Sequence, residues 1–181
     1  IREVGIELYQ QMLQDAVATA KAGSIEAALA DDRWTPQINL GMSVLIPDTY
    51  VTDLNIRLGL YRRLADVAEQ DEIEAIAAEM IDRFGALPAE VENLLQTVAV
   101  KQLCRKAGIE KIDAGPKGAV ISFRKDQFAK PDRLISWITQ QAGTVKVRPD
   151  HKITVMRSWD DIDQRMTGMK NTLAELVILA A

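Results

Sequence analysis

One cysteine and one histidine are all the chain holds of either in 181 residues. Cys104 has no second thiol for an internal disulfide, which fits a reducing, cytoplasmic setting. With His151 the sole imidazole, no Cys/His cluster of metal-ligand spacing can be written. No apolar run approaches the roughly 20 residues of a membrane span, and the N-terminus lacks the basic, apolar and small-residue pattern of a secretory leader. There is no glycine-rich loop followed by Lys-Ser or Lys-Thr, no dinucleotide fingerprint and no Gly-x-Ser-x-Gly elbow. These absences exclude an ATPase cycle, a dinucleotide enzyme and a serine hydrolase. They leave a chain with no catalytic residues and no cofactor or metal of its own.

What is present is a foldable composition with segregated charge. Apolar residues make up 48%, enough for a real core in one domain of residues 1–181, divisible into a helical subregion 1–108 and a small α/β subregion 109–181. The net charge is −4, yet residues 1–99 hold 7 Lys+Arg against 17 Asp+Glu, while residues 100–181 hold 15 against 9. Asymmetry of that kind marks a docking surface or a nucleic-acid patch when it is more than a difference between solvated helix faces. The chain begins at Ile1, inside a helical pattern and without methionine, so it is expected to be a piece of a longer protein.

The periodicities predict an α+β fold: a helical N-terminal and middle region, a small, mostly antiparallel sheet, and a C-terminal amphipathic helix. A first helix is expected over Arg2–Ala22, ended by Gly23, and a short helical piece over Ser24–Ala30. Ile38, Leu40, Met42, Val44 and Ile46 alternate strictly, the period of a strand with one buried face, and Pro47 stops it. Asp48 is the expected N-cap of a helix with Tyr50, Val51, Leu54, Leu58, Tyr61, Ala65 and Ala68 on one face. Ile56, Leu60 and Val67 form a second apolar face, which predicts burial on both sides. Asp71 followed by Glu74 suggests a capping box for a helix whose apolar stripe is Ile73, Ile76, Ala77, Met80 and Phe84; Gly85 stops it and Pro88 opens the next, which ends at Gly108. Ala119–Phe123 reads as a strand, Thr144–Arg148 with Lys152–Arg157 as a hairpin, and Pro131 starts a helix that Gly143 caps. From Ser158, Ile162, Met166, Met169, Leu173, Leu176, Val177 and Ala180 align as the last helix.

At about 100° per residue, Glu72, Glu79 and Arg83 fall together on one flank of the Ile73–Phe84 stripe, with Asp82 on the opposite face. The same stretch carries Arg57-Leu58, Tyr61-Arg62-Arg63-Leu64-Ala65, Glu79-Met80-Ile81-Asp82-Arg83-Phe84-Gly85 and Leu87-Pro88. With Gly5-Ile6-Glu7-Leu8-Tyr9 followed by Met12-Leu13, and Ile46-Pro47-Asp48 followed by Tyr50, these elements stand in an order that resembles the C-terminal domain of the bacterial transcription-repair coupling factors. Ile6 departs from the phenylalanine of that pattern, a change of apolar shape only. The family resembled consists of multidomain DNA translocases that link stalled RNA polymerase to nucleotide excision repair, with ATP and Mg2+ bound by other domains. The resemblance implies a non-catalytic regulatory domain that docks on the UvrA-binding module of its own parent and so masks the surface UvrA takes. UvrA and RNA polymerase are then indirect partners, DNA is contacted through other domains, and no membrane is involved. It also implies that Glu79 and Asp82 face arginines of that module, with Glu72 and Arg83 as neighbouring contacts.

Other chemistry has a plainer reading beside it. The basic residues Lys101, Arg105, Lys106, Lys111, Arg124 and Lys125 suggest an accessory nucleic-acid module as the alternative function, without the interleaved aromatics of single-strand binders. His151 sits in an expected hairpin turn, and Cys104 on a helix beside Arg105 and Lys106. The pairs Asp31-Asp32 and Asp160-Asp161 read as turn or helix-start carboxylates rather than cation ligands.

Overall fold

A computed structural model describes residues 35–181. The expected helices over Arg2–Ala22 and Ser24–Ala30, the Gly5-Ile6-Glu7-Leu8-Tyr9 element and Asp31-Asp32 lie outside the described residues. The described elements are β1 (Gln37–Asn39), α1 (Leu54–Asp66), α2 (Gln70–Phe84), α3 (Ala89–Ala107), β2 (Ile109–Gly115), β3 (Gly118–Phe123), α4 (Pro131–Gln140), β4 (Val145–Val147), β5 (Ile153–Met156) and α5 (Ile162–Ala180). The architecture is α+β, with one mixed five-stranded sheet in the order β1-β2-β3-β5-β4. β1 runs parallel to β2, with Ile38 opposite Ile112; the other three pairings are antiparallel.

Among the described residues the chain forms two compact units, one over 43–99 and one over 35–42 with 100–181. This partition differs from a boundary at residue 108, because α3 is one helix whose apolar positions serve two cores. Val91, Leu94, Leu95 and Val98 belong to the first core, with Ile46, Val51, Leu60, Tyr61, Leu64, Ile73, Ile76 and Met80. Val100, Cys104 and Ala107 belong to the second, with Ile112, Ile121, Ile153, Val155, Trp159, Met169 and Leu173.

The alternating run from Ile38 to Ile46, which passes from the second unit into the first, is not one strand. Only Gln37–Asn39 pairs, because Gly41 turns the backbone at φ +68 and the Asn39 side-chain oxygen accepts the Gly41 N–H at 3.1 Å. Asp48 does not cap a helix: Pro47 to Val51 forms a turn, and Asp53 is the N-cap of α1, its carboxylate accepting the Ile56 N–H at 3.0 Å. Nor is α1 buried on two sides. Leu60, Tyr61 and Leu64 are its buried stripe, while Leu54 is 57% exposed. The Tyr61 hydroxyl accepts the Ile46 N–H at 2.6 Å, satisfying a buried donor that no strand pairs.

In the second unit the helix starting at Pro131, the hairpin of β4 and β5, and α5 follow their sequence signals. β2, next to the centre of the sheet, has no such signal: only Ile109 and Ile112 of its seven residues are buried, and the pairing with β3 slips between Ile109 and Lys111. Gly118 is required at the start of β3, since it adopts φ +125 and a Cβ there would stand 1.9 Å from the Val155 carbonyl oxygen.

Candidate docking face

The charged face of α2 is built from its own caps and from one residue of α1. The helix starts at Gln70, one residue before the expected Asp71-Glu74 box, because the Glu72 carboxylate reaches back to accept the Glu69 N–H at 3.2 Å and the Ala68 N–H at 3.4 Å. Glu72 is therefore a capping residue, satisfying donors that every helix start leaves open. Ile73, Ile76 and Met80 are buried, which fixes the rotation of the helix and turns Asp71, Glu74, Ala78, Ile81 and Asp82 to solvent. Gly85 ends it at φ +92, its N–H bonded to the Ile81 carbonyl at 3.0 Å.

The C-terminal turn of α2 is anchored by Tyr50. Its hydroxyl lies 2.8 Å from the Gly85 carbonyl and 3.1 Å from the Met80 carbonyl, and its ring meets Phe84 edge-on at 5.8 Å between centroids. Burial raises the Tyr50 pKa, so the phenol stays a donor. The Arg83 guanidinium lies over the Phe84 ring at 4.9 Å, a cation–π contact that holds it along the helix.

Glu79 and Asp82 meet different surroundings. One oxygen of Glu79 lies 2.5 Å from Nη1 of Arg63 on α1, and the other 3.2 Å from Nη1 of Arg83. The hydrogen bond from Arg63, foremost, holds the Glu79 carboxyl below the usual carboxylate range. Asp82 is exposed and makes no salt bridge or side-chain hydrogen bond among the described residues. Of the four residues expected on a docking face, the structure thus brings Glu79 and Arg83 together, assigns Glu72 to the cap, and leaves Asp82 as the open charge.

The remaining candidates resolve as follows. Lys101 is 4% exposed and leaves the basic group, because its position on α3 faces the core; Lys111 stands 3.6 Å from Asp113. Arg105, Lys106 and Lys125 stay at the surface. Cys104 is fully buried and desolvation pushes its thiol strongly upward, so it is inert. His151 is exposed in the turn between β4 and β5 at φ +64. Asp161 caps α5 by accepting the Gln164 N–H at 2.7 Å. No group of three or more His, Cys, Asp or Glu able to hold a metal ion occurs among the described residues, and no described helix is long and apolar enough to cross a membrane.

One charged residue carried no sequence signal. Arg165, at 6% exposure, donates to the Leu40 carbonyl at 2.7 Å and the Trp159 carbonyl at 3.2 Å, tying the chain just after β1 to α5 within the second unit. In the sequence it stands beside Met166 as an ordinary polar interruption of an apolar stripe.

Comparison with known proteins places these features in a group. Residues 40–134 match the model of the TRCF domain. The transcription-repair-coupling factor of Rickettsia conorii is 43% identical over 161 residues, covering 89% of this chain and 14% of that protein. The transcription-repair-coupling factor of Escherichia coli K12 is 31% identical over 174 residues, covering 96% of this chain and 15% of that protein. The chain thus spans about 14% of the length of the Rickettsia relative. A crystal structure of the C-terminal domain of transcription-repair coupling factor shares the fold, with a TM-score of 0.63 at 17% identity, over 82% of this chain and 96% of that one.

Proposed function

This chain belongs to the TRCF domain family, and from that premise we propose that it is a non-catalytic regulatory domain of a cytoplasmic DNA translocase serving transcription-coupled nucleotide excision repair. It docks on the UvrA-binding module of its parent and masks the surface that UvrA takes, until engagement of RNA polymerase and DNA by the rest of the parent releases it. ATP and Mg2+ are handled by other domains.

The observation that carries this reading is the exposed carboxylate of Asp82, unpaired among the described residues, on a helix whose rotation and ends are fixed by the Glu72 cap, the buried Ile73, Ile76 and Met80, and the Tyr50 anchor. A rigid element presenting an open acid suits recognition of an arginine, the cation whose planar fork matches a carboxylate. A few such contacts supply a few kcal/mol when partly desolvated, enough for a latch that a competing partner still opens.

Calorimetric titration of this chain against the isolated UvrA-binding module of the same parent tests it. Saturable 1:1 binding that weakens with salt, and about tenfold further with Asp82→Lys, is the expected result. Binding unaffected by Asp82→Lys, or none at all, refutes docking through this face.

A further inference from the structure

Glu79 and Asp82 are three residues apart on one helix, yet of the two only Asp82 is without a salt bridge among the described residues. Each Glu79 oxygen already holds a guanidinium, so Glu79, Arg63 and Arg83 together carry one net formal positive charge, while the exposed Asp82 carboxylate meets no cation among the described residues. We propose that Arg63 is an internal competitor for the docking partner: it occupies Glu79, so that Asp82 takes the first incoming arginine and Glu79 engages only as Arg63 gives way. This inference rests on the docking reading above.

The two arginines on Glu79 are not alike. Arg83 lies four residues along the same helix and is held over the Phe84 ring, so it travels with α2 and stays. Arg63 comes from α1, its side chain is 50% exposed, and the Glu79 side chain it meets is 34% exposed. An ion pair so open to water is screened and exchanges readily, whereas a buried pair would resist a competitor. An arginine from the partner brings the same chemistry to the same oxygen, and the like charge of Arg63 opposes its approach until Arg63 swings into solvent. Arg63 thereby lowers the affinity of the closed state, which suits a latch that must open. Were Arg63 instead a support that holds Glu79 in a binding-ready rotamer, its removal would have the opposite sign.

The sign is therefore the test. The chain and its Arg63→Gln, Glu79→Gln and Asp82→Asn variants, with the Arg63→Gln plus Glu79→Gln pair, are titrated calorimetrically against the isolated UvrA-binding module at low salt, with circular dichroism as the check on folding. Arg63→Gln is expected to bind about twofold to fivefold tighter than the parent chain. Glu79→Gln is expected to cost little alone and to abolish the gain of Arg63→Gln, the non-additivity expected when Arg63 acts through Glu79. If the parent chain binds, Asp82→Asn weakens it and Arg63→Gln fails to tighten it, the competition is overturned and docking stands. If neither the parent chain nor folded Arg63→Gln binds, docking falls and the competition falls with it.

Discussion

Gly59 and Gly168 both lie inside helices, and alanine is expected to raise stability at the first and lower it at the second. In a helix interior the exchange gains about 1 kcal/mol, because alanine loses less backbone entropy on folding. At Gly59, within α1, a Cβ would meet no heavy atom within 4 Å, so the gain is expected in full, about 0.5–1 kcal/mol. At Gly168, within α5, a Cβ would stand 2.3 Å from Nε1, 2.5 Å from Cε2 and 2.7 Å from Cζ2 of Trp159. The indole would have to retreat by more than an ångström to restore ordinary contact. It is poorly placed to do so, being a rigid, buried ring on a residue whose N–H is bonded to the Pro116 carbonyl at 2.7 Å and whose carbonyl accepts from Arg165. Overpacking of this kind costs about 1–3 kcal/mol, so against the helical gain Gly168→Ala is expected to be destabilised by a net of up to ~2 kcal/mol. Urea unfolding followed by tryptophan fluorescence in a Trp34→Phe background reads the second unit through Trp137 and Trp159, and far-ultraviolet circular dichroism follows the helices of both. Gly168→Ala with a midpoint at or above that of the parent chain would refute the packing account of this glycine.

Two further outcomes concern Glu79 and Cys104. The Glu79 pKa is lowered, so its ion pair contributes stability above the unfolded carboxylate range, about pH 4.3, and that contribution is lost as pH falls through the lower folded-state value. Glu79→Gln is therefore expected to lose at most ~1 kcal/mol at pH 7 and to match the parent chain in strong acid, as read by urea melts across pH. Cys104 is expected to resist thiol reagents at pH 8 in the folded chain and to react fully in denaturant; rapid labelling of the native chain would contradict its burial.

Helix α2 shows how far the sequence can be read. Its stripe of Ile73, Ile76 and Met80 and its stop at Gly85 follow from spacing and from the conformational freedom of one glycine, both properties of neighbours within a few residues. The start was misplaced because three acids, Asp71, Glu72 and Glu74, crowd the first turn and any of them suits a cap; the one that reaches back is Glu72. The run from Ile38 to Ile46 kept buried residues at both ends but not its ladder, since one alternating pattern served two cores with Gly41 between them. β2 was illegible because Ile109-Glu110-Lys111-Ile112-Asp113 neither alternates nor runs apolar; its neighbours β1 and β3 supply the pairing that makes it a strand.

The sequence by itself determined α2 to α5, the hairpin, the absence of nucleotide and metal motifs and the family resemblance, because each depends on residue types at short, fixed intervals. Only the tertiary structure decided which acid is open and which is taken. Glu79 is occupied by Arg63 because α1 and α2 share a core, and Arg165 holds a carbonyl 125 residues away because β1 closes the sheet edge near it. Charge at a docking face is a property of what the fold brings within a few ångströms, and Coulomb energy falls with that distance and with the water between, neither of which is written along the chain.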